Sequence, residues 1–121
     1  MKTIAVAALA LLATSVSAAT YQDFPAGGLS CPTSSGDKLT PLADLKKAAD
    51  GVKGTTPRET SASNLASGKC TSLDQPLYDA SIGESTIGVA YDEAKDTFYF
   101  CYAQAGGDYD GDGWPDGCTE Q

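Results

Sequence analysis

Four aspartates lie within nine residues near the C-terminus, in the segment DYDGDGWPDGC at positions 108–118. Ca²⁺ binds about six to eight oxygen atoms at about 2.3–2.6 Å, from carboxylates and a backbone carbonyl on a tightly curled chain. A glycine after the third alternating aspartate permits such a curl. The segment therefore predicts a calcium site with these ligands, the last of them bound directly or through water: Asp108, Asp110, Asp112, the carbonyl of Trp114, and Asp116.

This acidic loop resembles the calcium loops of thrombospondin type-3 repeats, which also place Pro-Asp and a cysteine shortly after the glycine. It also resembles the first half of an EF-hand loop, but the twelfth position is Thr119 and the glutamate follows one residue late, at Glu120. No helix is expected after it. The resemblance therefore implies a structural calcium site and not a sensor that opens on binding calcium.

An unoccupied acidic turn is the alternative interpretation, because Asp and Gly are common turn residues. Against it, four neighbouring carboxylates repel one another unless a cation compensates them. A disulfide at Cys118 would hold them close together. We favour calcium, with a dissociation constant of about 10⁻⁴–10⁻³ M as in other extracellular modules. Trp114 is either an exposed anchor for a partner or packs over this disulfide.

The first eighteen residues have the layout of a secretory signal peptide. Lys2 gives a basic start, residues 4–13 are apolar, and Val16, Ser17 and Ala18 form a small-residue cleavage pattern. The apolar run is too short to span a membrane, and no later run approaches roughly 18 residues. We therefore predict a secreted, extracellular protein with signal peptide 1–18 and one small domain, 19–121, without a membrane segment.

Charge and composition exclude several classes of function. Without Lys2, 7 basic residues against 16 acidic ones give a net charge near −9. Such acidity disfavours nucleic acid and anionic membranes, which require clustered Lys and Arg. The chain has no histidine, which rules out His-based acid–base catalysis, Ser-His-Asp and Cys-His sites, and His-ligated zinc.

Helical spacing is clearest in TPLADLKKAADG, at positions 40–51. Thr40 is a good N-cap and Pro41 suits the first helical position, while Gly51 or Gly54 can end the helix. Apolar residues recur on one face of it, at positions 42, 45, 49 and 52. Before the helix, residues 21–37 are rich in Gly, Pro and Ser and predict an irregular segment. After it, residues 53–67 predict a surface loop with one helical turn near residues 61–66.

Three aromatic and β-branched segments then predict strands at residues 76–82, 86–91 and 97–103, with a hairpin loop at 92–96. Alternation in the third strand places Tyr102 on the face of Phe98 and Phe100, and Tyr99 on the other face with Cys101. The sequence therefore predicts an α+β fold in which one helix packs on a small antiparallel sheet.

Four cysteines in a small secreted chain favour two disulfides over a thiolate metal site, because CxxC spacing is missing. Three pairings are possible. We favour Cys31–Cys118, which would tie the two ends together, with Cys70–Cys101, which would connect the first extended segment to the third.

The order of these elements resembles the fungal guanyl-specific ribonucleases of the microbial ribonuclease superfamily. QPLYDASI, at 75–82, is similar to the strand that carries that family's catalytic glutamate, and Asp79 falls at or beside its position. TIGVAYDEAKDTFYFCYAQAGG, at 86–107, is similar to the next two strands. Where the family has an arginine and a histidine, this chain has Gly88 and Gln104.

The resemblance therefore implies a ribonuclease-like fold without the catalytic set. RNA cleavage needs a general base, a general acid and a cation. Asp79 can serve as a base, but Gln104 cannot donate the proton. Arg58 and Lys69 are the cations near the sheet, with no sequence signal that they converge. We predict no enzymatic activity and a monomeric, effector-like protein that binds a protein partner, of a host if the resemblance holds. A calcium-binding module and an altered ribonuclease remain as alternatives.

Overall fold

A computed structural model describes residues 18–121, so the predicted signal peptide lies outside the described residues apart from Ala18. These residues form one α-helix and two β-sheets, which makes the fold α+β as predicted. None of the helices described is long and apolar enough to cross a membrane. The elements, in chain order, are β1 Thr20–Gln22, β2 Leu29–Thr33, β3 Gly36–Thr40, α1 Leu42–Asp50, a 3-10 turn Ala62–Asn64, β4 Leu77–Ile82, β5 Ser85–Asp92, β6 Thr97–Gln104 and β7 Thr119–Glu120.

The larger sheet has the order β1-β6-β5-β4, and the smaller one the order β3-β2-β7. β1 runs parallel to β6, while all other neighbours are antiparallel. The prediction of a single antiparallel sheet was therefore wrong, as was that of an irregular segment at 21–37. β1 and β7 are short and form by pairing with distant segments, whereas β2 and β3 pair with each other as a hairpin. The Gly, Pro and Ser content of residues 21–37 concealed these two strands.

Helix α1 packs across the larger sheet, as predicted. Leu45, Ala49 and Val52 are buried against Ile87, Val89, Phe98 and Phe100 of β5 and β6. Burying a Leu, Ile, Val or Phe side chain contributes about 1.5–3 kcal/mol, so this contact accounts for much of the core.

The start of α1 differs from the prediction. Thr40 is the last residue of β3 and pairs with Leu29, so it does not cap the helix. Pro41 is the N-cap, and its carbonyl accepts from the N–H groups of Asp44 and Leu45 at 3.0 and 3.1 Å. The helix ends at Asp50 before Gly51, as predicted.

A β-bulge in β6 changes the faces predicted for its side chains. Gly88 pairs with Tyr102 and Val89 with Phe100, so Cys101 is an extra residue in β6. The bulge turns Tyr102 away from Phe98 and Phe100 and onto the face that is opposite to α1. There it packs beside the second core cluster, which contains Ala62, Cys70, Leu77, Ala90 and Cys101.

Both disulfides have the favoured pairing, Cys31–Cys118 and Cys70–Cys101. The first joins β2 to Cys118, the last residue of the acidic loop. The second joins the loop after the 3-10 turn to β6. Together they leave no free cysteine among the residues described.

Candidate functional site

The acidic loop, residues 108–118, connects β6 to β7 and is fixed at its base. Ala105 donates its backbone N–H to the Asp116 carbonyl at 2.8 Å, and Asp116 donates to the Gly107 carbonyl at 3.0 Å. An isolated bridge pairs Gln104 with Gly117, and Cys118 is bonded to β2. The two ends of the loop are thereby held side by side.

Within the loop, the carboxylate of Asp108 organises a tight curl of backbone. Its oxygens accept from the N–H groups of Gly111, Asp112 and Gly113 at 2.8, 3.2 and 2.6 Å. Gly111 and Gly113 have φ values of 82° and 93°, which only glycine adopts without strain. The alternating glycines are therefore what allows the aspartates to turn toward one centre.

The four aspartates converge: Asp108, Asp110, Asp112 and Asp116 each offer a carboxylate oxygen within 4.8 Å of the others. One oxygen of Asp110 accepts from the Asp112 N–H at 3.1 Å, and one oxygen of Asp112 from the Trp114 N–H at 2.8 Å. Asp116 accepts from the Tyr109 N–H through Oδ2, whereas its Oδ1 is buried without a hydrogen-bond partner. The cluster can therefore hold a metal ion.

The protonation of the loop reflects this crowding. The hydrogen bond from the Gly113 N–H lowers the pKa of Asp108 below its ordinary value. For Asp110 the Asp112 N–H favours the ionised form, but the side-chain hydrogen bond with Asp108, reduced solvation, and repulsion from Asp112 and Asp116 together raise its pKa. The charges of Asp112 and Asp116 thus disfavour the ionised form of Asp110, and a cation would relieve this repulsion.

Trp114 is 74% exposed, so it does not pack over the disulfide. The contribution of its carbonyl as a ligand stays a prediction. Glu120 forms an ion pair with Lys69, with 2.7 Å between Oε1 and Nζ, and lies in β7 opposite Leu29. The Glu120 carboxylate therefore binds Lys69 and does not close the acidic loop as an EF-hand glutamate would.

A second polar cluster lies on the face of the larger sheet opposite α1. The Tyr102 hydroxyl donates to Oδ1 of Asp79 and accepts from Nη1 of Arg58. The same Arg58 nitrogen lies 3.7 Å from Oδ1 of Asp79. These three side chains line a cleft of about 410 Å³, whose wall includes Pro115 of the acidic loop and Gln104.

The environment keeps Tyr102 neutral and Arg58 charged. Burial, followed by the hydrogen bond to the Asp79 carboxylate, raises the pKa of Tyr102 to about 12. The neighbouring Tyr102 oxygen, and then Asp79, raise the pKa of Arg58. Asp79 is therefore engaged with both neighbours.

Arg58 converges on Asp79 because its backbone N–H donates to the Leu77 carbonyl at 2.7 Å, next to β4. No sequence signal indicates that either cation converges on Asp79, and the structure brings Arg58 there. Lys69 lies elsewhere, and its Nζ contacts Glu120 and the Asp23 carbonyl. No local sequence signal predicts the contact between residues 58 and 77, because this contact joins a loop to a distant strand.

Comparison with known proteins found no family model, no curated protein and no solved structure that matches the chain.

Proposed function

We propose that this chain is a secreted, non-catalytic binding protein with a ribonuclease-like fold, and that its acidic loop holds Ca²⁺ to fix a binding surface. The convergence of four carboxylates within 4.8 Å carries the proposal. The partner is a protein, of a host if the effector-like resemblance holds, and the chain acts as a monomer.

Calcium is the metal that suits these donors best. All four side-chain donors are carboxylate oxygens, which bind hard cations, whereas zinc and copper favour the nitrogen and sulfur atoms that are missing here. Oδ1 of Asp116 is buried and accepts no hydrogen bond. A bound cation would supply the partner that this oxygen lacks. In this proposal the carbonyl of Trp114 completes the protein ligands, and water fills the remaining positions.

The binding surface is the exposed rim of the loop. The side chain of Trp114 is 74% exposed and that of Tyr109 is 43% exposed. Aromatic residues of this kind often anchor protein interfaces. A cation would fix the curl from which Trp114 projects, next to Tyr109, whose hydroxyl donates to Glu84. Calcium would thereby order the surface without contacting the partner.

A non-catalytic role is supported by the cluster around Asp79. A general base needs a free carboxylate near the proton that it removes, but Asp79 accepts from Tyr102 and contacts Arg58. The chain has no histidine, so none lines the cleft to act as the general acid.

A ribonuclease assay on the purified protein tests this part of the proposal. We expect no cleavage of a fluorogenic RNA substrate above the level of an Asp79→Asn variant. Activity in the wild-type protein that the variant loses would favour the second candidate, an altered hydrolase. The observation that favours this candidate is that Arg58, a cation, lies with Asp79 at one cleft.

A further inference from the structure

A groove of about 390 Å³ lies between the two sheets, and none of the residues that line it belongs to the acidic loop. It is lined by β3, by the first two turns of α1, and by the end of β4 with the turn that follows. Its apolar part consists of Leu39, Ala48 and Ile82, and Leu39 is 55% exposed. An exposed leucine beside a groove is a common feature of interaction sites.

The groove also contains two lysines that form no ion pair among the described residues. Three of the seven cations described, Lys53, Arg58 and Lys69, form ion pairs, and Lys46 lies over the ring of Tyr21. Of the three that remain, Lys38 and Lys47 both line this groove.

Two acidic residues lie close to these lysines. Asp44 lines the groove. Glu84 is near Lys38 but is bound by Ser34 and Tyr109. On a molecule with a net charge of −8, a groove that keeps two lysines without an ion-pair partner is suited to an anionic group.

Two strand edges border the same groove. β3 pairs only with β2 and β4 only with β5, so each is an edge strand. Near Leu77 the edge of β4 is covered by the segment at Glu59, but no strand among residues 18–121 covers its end or the outer edge of β3. Four of the five residues of β3 are exposed. Unpaired edges of this kind are templates for an added strand.

We propose that this groove binds an extended acidic peptide segment of a partner protein, which adds a strand to the edge of β3. Its carboxylates would pair with Lys38 and Lys47, and an apolar side chain between them would pack against Leu39 and Ile82. Alternating charged and apolar positions match the alternation of side chains along a strand. The inference names a partner class for the proposed binding protein and rests on that role, but none of its residues belongs to the acidic loop.

Titration with a capped heptapeptide in which glutamate alternates with valine tests this directly. We expect saturable binding by calorimetry, and amide shifts in the NMR spectrum confined to residues 38–40 and 81–83. The double variant Lys38→Glu, Lys47→Glu should weaken binding at least about tenfold, since reversing two exposed charges removes two attractions and adds two repulsions.

Matched controls separate strand addition from general charge attraction. Lys95→Glu reverses one charge, as each substitution of the double variant does, but it lies in the exposed turn between β5 and β6. It should leave the affinity for the peptide unchanged. The same peptide methylated on alternate backbone nitrogens keeps its charge but should lose binding, because it cannot complete the ladder. Equal weakening by all lysine variants, undiminished binding of the methylated peptide, or no binding at all would overturn the inference.

A calcium titration on the same preparation, purified from the medium, distinguishes this failure from that of the proposed function. Loss of peptide binding with intact calcium binding would reject the groove alone. Self-association through β3, seen by sedimentation as a dimer that Leu39→Pro disrupts, would also overturn the inference, because a second copy would then be the occupant.

Discussion

The ring of Tyr102 lies directly on the backbone of Gly88, so that even a Cβ at position 88 would collide with it. The bulge at Cys101 puts the ring there. Where the resemblance to guanyl-specific ribonucleases would place an arginine, this chain therefore has a tyrosine ring over a glycine. The cation of the cleft comes instead from Arg58, on a loop that is distant in sequence.

Gly88→Ala should destabilise the protein by about 1–3 kcal/mol, the usual cost of forcing an extra carbon into a packed site. Urea denaturation followed by circular dichroism measures this change. Gly117→Ala is the matched control, because a Cβ at Gly117 meets no atom within 4 Å. Equal effects of the two substitutions would show that Tyr102 does not occupy the space over Gly88.

The titration of Tyr102 should reveal its contact with Asp79. Its pKa is raised from 10.0 to about 12, so the neutral form stabilises the folded state. That stability is fully present below pH 10 and is lost as the pH rises toward 12. Asp79→Asn removes the carboxylate, so it should lower the pKa of Tyr102 and reduce the loss of stability over this interval.

Absorbance at 295 nm follows the six tyrosines, and Tyr102→Phe identifies the contribution of Tyr102. Tyr21, whose pKa is also raised to about 12 by burial and by Asp50, serves as an internal comparison that Asp79→Asn should leave unchanged. An unaltered titration of Tyr102 in the Asp79→Asn variant would speak against the contact.

The two disulfides should differ in what they control. On the chain-entropy model, Cys70–Cys101 contributes about 3.7 kcal/mol and Cys31–Cys118 about 4.6 kcal/mol, because the second closes a longer loop. We expect paired alanine substitutions to destabilise the protein by amounts of this order. Only the loss of Cys31–Cys118, which anchors the acidic loop, should also weaken calcium binding.

Thermal unfolding and calcium titration of both double variants check this difference. The Cys70→Ala, Cys101→Ala protein is the control, since its bond lies in the second core cluster. If its calcium affinity fell as much as that of the Cys31→Ala, Cys118→Ala protein, general loosening of the fold would account for the effect, and the anchoring role would be wrong.

The local signals of the sequence were sufficient for α1, for β4, β5 and β6, and for the convergence of the four aspartates. Each of these depends on residues that are close together in the chain. The spacing of Leu45 and Ala49 marks one helix face, and the aspartates reach one centre because Gly111 and Gly113 curl the segment between them.

Apart from the β2–β3 hairpin, which is local, the main features that the sequence did not predict depend on longer-range contacts or on an irregularity in a strand. β1 exists because Thr20 pairs with Thr97, and β7 has only two residues. Tyr102 lies on the other face of the sheet because of a bulge that no residue pattern in β6 predicts. Arg58 reaches Asp79 only because the backbone of its loop bonds to Leu77. None of these contacts can be inferred from composition or periodicity.

Calorimetric titration of CaCl₂ into metal-free protein tests the central claim most directly, with the fluorescence of the single tryptophan as a second readout. We predict one site with a dissociation constant of about 10⁻⁴–10⁻³ M, reversed by EDTA and lost in Asp112→Asn. Glu120→Gln, which breaks only the ion pair with Lys69, should bind as the wild-type protein does. The absence of both binding heat and any change in melting temperature at millimolar Ca²⁺ would contradict the account.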